Sequence, residues 1–72
     1  MTYHEIDNAI RDALITLDTH RGIASLHNYY VGFSRPDQND IISEIQRGDC
    51  TVDQAADTIQ TWYDDTPDEY AD

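Results

Sequence analysis

Apolar residues recur every three or four positions along most of this chain, and the pattern is interrupted at Gly22, Gly32 and Gly48. That spacing is the mark of helices with one buried face, and it predicts an all-α fold: a small bundle of three or four short helices. Thr2-Tyr3-His4-Glu5 reads as a capping box, in which the hydroxyl and the carboxylate each satisfy an orphan backbone N–H. Ile6, Ala9, Ile10, Ala13, Leu14 and Leu17 follow at helical spacing. His20-Arg21-Gly22 then places cations at the negative dipole end and a glycine where a left-handed cap would fall. The first helix is expected over 3–20. Ile23, Leu26, His27, Tyr30 and Val31 can line one face of a second helix over 23–31. Two alternatives stand beside that reading. Tyr29-Tyr30-Val31-Gly32-Phe33 is rich in strand-preferring residues, and Gly22 could instead sit inside one long helix at a cost of ~1 kcal/mol.

Ser34-Arg35-Pro36-Asp37 is a helix start, with Pro suited to the first turn and Asp37 to the positive dipole end. Ile41, Ile42 and Ile45 supply a buried stripe, and Arg47-Gly48 ends the helix. Thr51 with Gln54 makes a second capping box, with Cys50 and Ala55 as the hydrophobic staple around it. The fourth helix carries Val52, Ala55, Ala56, Ile59, Trp62 and Tyr63 on its inner side. These two helices form a tight C-terminal hairpin, the best-specified piece of the chain. From Asp64 onward five acids and a Pro predict fraying. The expected organisation is one helical domain over 1–63 and an acidic, flexible tail over 64–72.

Seventy-two residues, 39% of them hydrophobic, suffice for one modest core. Cys50 is the only cysteine, so that core forms without an intramolecular disulfide. Charge excludes more than size does. Fifteen acids stand against four Arg and no Lys, a formal net charge of −11. Such a body repels nucleic acid and anionic membranes and is attracted to basic surfaces. Direct nucleic-acid or membrane binding is therefore not expected. With no leader-like opening and no apolar run of transmembrane length, the cytoplasm is the expected compartment.

Catalytic signals are weak. Carboxylates are too abundant for their pairing to be informative, and a bundle of this size is expected to leave little interior for a pocket that would shift their pKa. Asp18, His20 and His27 could converge if the first two helices fold back at Gly22, but no metal-binding spacing is present. His20 is more simply a helix-end cation and His27 a partly buried packing residue. The segment 64–72 lacks the ligand alternation of a calcium loop. Cys50 lies at a helix start, where the dipole lowers a thiol pKa, yet a staple position explains it as well. No glycine cluster cradles a phosphate. The expectation is a binding protein, not an enzyme, with no metal and no cofactor.

The aromatics and the acid rows point to that binding. Adjacent pairs such as Tyr29-Tyr30 and Trp62-Tyr63 cannot both face inward on a helix, so one of each is peripheral. Tyr rimmed by acids is a typical protein-binding surface, although packing at a bundle edge would look the same. Twelve of the acids are Asp, although Glu is the better helix former. Asp37, Asp40 and Glu44 form a row on the third helix; Asp53 and Asp57 form another on the fourth, with Asp64 further along. Carboxylates one turn apart lie ~5–6 Å from each other, close to the phosphate repeat of a nucleic-acid strand. Acidic, lysine-free surfaces also suit a high-salt cytoplasm or plain solubility, and both readings stay open.

In size, acidity and aromatic content the whole chain resembles the small phage-encoded inhibitors of DNA-handling machines, anti-CRISPR proteins and DNA mimics among them. No motif carries the resemblance. It implies a blocker that occupies the basic nucleic-acid path of a partner complex in the host cytoplasm. An antitoxin-like or regulatory protein-interaction module is the alternative. The partner-binding candidates are Tyr29, Asp40, Glu44, Asp53, Asp57, Tyr63 and Asp64.

Overall fold

In a computed structural model of the chain, which describes residues 2–22 and 26–65, four helices follow one another: α1 (Tyr3–Arg21), α2 (Leu26–Val31), α3 (Arg35–Gln46) and α4 (Val52–Asp64). No strand occurs among the described residues. The small all-α bundle is as the apolar spacing requires.

Local chemistry sets the helix ends. Thr2 caps α1 as a reciprocal box: its Oγ1 accepts from the Glu5 N–H while Glu5 Oε1 accepts from the Thr2 N–H at 3.1 Å. That accepted bond holds the Glu5 carboxyl below its ordinary pKa. At the far end Gly22 takes φ 72°, a left-handed cap that stops the helix, so the continuous-helix alternative fails. Ser34 caps α3, with Pro36 in the first turn. Behind α3, the Gly48 N–H donates to the Ile45 carbonyl at 3.0 Å and the Asp49 N–H to the Glu44 carbonyl at 2.9 Å, with Gly48 at φ 82°. This paired closure reverses the chain. Thr51 and Gln54 then form the second reciprocal box, opening α4.

The second helix, expected over 23–31, is seen over Leu26–Val31. Residues 23–25, with Ile23, lie outside the described set. Its start is capped from a distance. Asp18, four residues beyond Leu14 on the buried face of α1, is only 6% exposed. Its two carboxylate oxygens accept the Leu26 N–H at 2.9 Å and the His27 N–H at 3.1 Å. A carboxylate fits there because the first amides of a helix are unpaired and partially positive. The strand alternative for 29–33 fails because α2 already uses Tyr29, Tyr30 and Val31.

Packing centres on α1. Its Ile6, Ile10 and Leu14 are buried against Leu26 and Tyr30 of α2, Ile42 of α3, and Ala56 and Ile59 of α4. Helices α3 and α4 each pack more extensively on α1 than on one another, so the hairpin is tight at its connection and splayed beyond it. Two expected inward residues point out instead: Val31 is 45% and Trp62 44% exposed. Only Tyr30 of the Tyr29–Tyr30 pair is fully buried. Its hydroxyl donates to Asp7 Oδ1 at 2.8 Å, Arg11 holds the other oxygen of Asp7 at 3.1 Å, and the guanidinium lies over the Tyr30 ring. Burial, and then the Asp7 carboxylate, push the Tyr30 hydroxyl well above its ordinary pKa. Asp64, expected as the first residue of the tail, is instead the last of α4, with Asp65 as its cap; residues 66–72 of the expected tail lie outside the described set.

Candidate functional site

Where α3 and α4 diverge they leave an open groove of about 520 Å³. It is open to solvent, not interior space, and the reason for it is geometric. Both helices are anchored on α1, so nothing pulls their outer flanks together. Ile41 lines it half-buried, with the buried Ala55 and Ile59 beneath; Tyr29, Phe33 and Trp62 add an aromatic lining, and Cys50 also borders it. The aromatic lining is built ring on ring. Tyr29 meets Phe33 edge-on with centroids 5.0 Å apart, and Phe33 leans on Trp62 at 6.1 Å. Such tilted contacts hold large apolar surfaces in place beyond what burial alone gives.

One wall of the groove is acidic. Asp37, Asp40 and Glu44 of α3, spaced three and four residues apart, all line it. None of them meets an arginine: Arg11, Arg21 and Arg47 pair with Asp7, Asp64 and Asp49 respectively. Arg35 lies two residues before Asp37, hence roughly half a turn round α3 from the groove. Asp40 and Glu44 are mutually repulsive neighbours, and Glu44 stands in the last turn, where the helix dipole disfavours a carboxylate. Both features oppose folding slightly.

The seven candidate partner-binding residues divide into three groups. Tyr29, Asp40 and Glu44 belong to the groove. Asp53 and Asp57 are exposed, but α4 turns Ala55, Thr58, Ile59 and Trp62 toward the groove, and the two aspartates fall roughly half a turn away. The two acid rows therefore do not share a face. Asp64 accepts a 2.7 Å ion pair from Arg21, whose guanidinium lies over the Tyr63 ring; Tyr63 also meets Tyr29 edge-on at 5.5 Å. That pair and ring tie the ends of α1 and α4 together, a structural duty. Phe33, Asp37, Ile41 and Ile59 are among the other residues lining the groove and were outside the candidate set. The signal for Asp37 and Ile41 was present in the sequence, since Asp37, Asp40, Ile41 and Glu44 recur on one side of α3.

Partial burial, then the carboxylates of Glu44 and Asp49, push the Cys50 thiol up, the opposite of the dipole effect expected at a helix start. Both oxygens of Asp18 are taken by backbone amides, and among the described residues no three His, Cys, Asp or Glu side chains are grouped to hold a metal ion.

No protein family matches the chain, and neither the curated proteins nor the solved structures include a significant match to it.

Proposed function

We propose that this chain is a non-catalytic, acidic binding protein that acts by occupying a basic surface on a partner. The observation that carries the reading is the unpaired row Asp37–Asp40–Glu44 on the wall of an apolar groove. Charges that cost folding free energy and have no counter-ion among the described residues are accounted for if a partner supplies the counter-ion. The exposed Trp62 and half-buried Ile41, Phe33 and Tyr29 beside them give the partner something to bury, which charge alone does not offer. The raised Cys50 thiol speaks against nucleophilic chemistry at the groove.

A second observation favours the more specific reading, inhibition of a nucleic-acid-handling complex through its basic path. Exposed Asp53 and Asp57 extend unpaired charge to another face of α4. A body that imitates a phosphate chain needs charge spread over more than one groove. The alternative, a regulatory or antitoxin-like interaction module, draws on the groove alone.

The test is affinity capture with the wild-type chain and with the Asp40→Asn, Glu44→Gln variant, at low and high salt. Each captured protein is then challenged with duplex DNA. A partner held by the wild type, lost with the variant and weakened by salt supports the proposal; capture indifferent to both refutes it. Displacement by DNA supports the inhibitor reading, and simultaneous binding of DNA leaves the interaction module in its place.

A further inference from the structure

The geometry points to one class of occupant for the groove: a basic amphipathic helix of a partner protein, its apolar face on the apolar lining and its Lys or Arg residues along α3. This inference rests on the proposed binding function and narrows it. Three arguments carry it.

The first is charge. The wall presents Asp37, Asp40 and Glu44 without a cation of the described chain to meet them. A second copy of this chain, at −11 and without Lys, has the wrong sign. So do residues 66–72, which contain Asp68, Glu69 and Asp72 and no cation. Nucleic acid is wrong as well. The occupant is basic.

Spacing is the second argument. From Asp37 to Glu44 the wall rises ~10.5 Å along α3, at ~1.5 Å per residue. A helix lying alongside repeats that rise, so cations at i, i+3 or i+4, and i+7 meet all three carboxylates in phase. An extended segment puts same-side residues ~6.6 Å apart, and its third cation overshoots Glu44 by ~3 Å.

The third is shape. The groove lies between α3 and α4, and its accessible apolar lining is the half-buried Ile41, Tyr29 and Phe33 with the exposed Trp62, above the buried Ile59. At about 520 Å³ it has room for a few side chains and not for a whole backbone. That is how a helix-in-groove complex works, with anchors from one face inserted and the rest left outside.

The experiment uses synthetic peptides of about four helical turns, titrated against the whole chain. Amide NMR shifts and Trp62 fluorescence are the readouts. The test peptide carries Leu at i, i+3 and i+7 with Lys on the adjoining flank. One control replaces Lys with Glu, a second places Pro at the centre to forbid the helix, and spermidine serves as a small organic cation. Saturable binding of the Lys peptide is expected, with shifts at Asp40, Ile41, Thr58 and Ile59 and a gain of helicity. The Pro control, the Glu control and the Asp40→Asn, Glu44→Gln variant should each bind at least tenfold more weakly, while Asp12→Asn, exposed on α1 and outside the groove, should bind as the wild type does. Equal binding of the Pro peptide, equal binding of the Glu peptide, spermidine competing at the peptide's own concentration, or shifts confined to other faces would each overturn the inference. If no peptide binds while capture still depends on Asp40 and Glu44, the helix is wrong and the binding function stands.

Discussion

Removing the Asp18 carboxylate should damage this fold more than any other single change on its surface or at its edge. Asp18 accepts two backbone N–H groups that open α2, at 2.9 and 3.1 Å, and it is 6% exposed. In Asp18→Ala those amides lose their partners where water scarcely reaches, and an unsatisfied buried donor costs ~1–3 kcal/mol. Loss of a helix cap costs ~0.5–2 kcal/mol by itself. The two descriptions overlap, so they are not summed; ~3 kcal/mol is the expected loss for both amides together. Six residues do not form a helix unaided, since isolated helices shorter than ~12 residues are marginal. Loss of the cap therefore also loosens Leu26 and Tyr30 in the core and Tyr29 in the groove. A domain of this size has only ~3–5 kcal/mol in hand. Urea unfolding followed by far-UV circular dichroism should show Asp18→Ala at the edge of stability. Asp18→Asn, which keeps one accepting oxygen, should fall between the two. An Asp18→Ala protein within ~0.5 kcal/mol of wild type would refute the reasoning.

Three further outcomes are expected. Thr51→Ala should cost ~1 kcal/mol in the same assay by opening the α4 capping box. Raising sodium chloride from low to moderate concentration should raise Tm until screening saturates, because most of the acids lack a counter-charge. The raised Tyr30 pKa sets an alkaline limit. A hydroxyl whose pKa is higher folded than unfolded lends stability that is whole below about pH 10 and falls as pH rises above it. The urea midpoint should thus drop steeply above pH 10, and Tyr30→Phe should flatten that drop while lowering the midpoint at pH 8 by ~1 kcal/mol through loss of the Asp7 bond.

The helices were legible because their signals are local. Thr2 with Glu5, and Thr51 with Gln54, fall three residues apart, and the structure forms both boxes. What reading the sequence missed is long-range. Asp18 continues the Ile6, Ile10, Leu14 stripe, and a carboxylate on a buried face must find donors. Those donors belong to a helix eight residues on, and nothing in local spacing names them. The carboxylate that meets the Leu26 and His27 amides of α2 likewise comes from α1, not from the segment's own flank. The groove was hidden for a different reason. The apolar residues of α3 and α4 suggest mutual packing, whereas both helices are held chiefly by α1. Hence half of the candidate site was visible as an acid row, while Ala55 and Ile59, read as inner residues of α4, are buried as expected beneath it. Asp53 and Asp57 look equivalent to Asp40 and Glu44 in sequence; only the packing shows that the two pairs face different ways.

The central claim is that Asp40 and Glu44 are kept for a basic partner and not for the fold. One set of urea titrations decides it, on the wild type and on Asp40→Asn, Glu44→Gln, each with and without the lysine-bearing amphipathic peptide. Alone, the variant should equal the wild type or exceed it by ~0.2–0.5 kcal/mol, the repulsion that the substitutions relieve. With peptide at a hundred times the wild-type Kd, the wild type should gain ~2.7 kcal/mol, and a variant binding tenfold more weakly ~1.4 kcal/mol or less. A variant that is less stable alone, or that gains as much from the peptide as the wild type does, would contradict the claim.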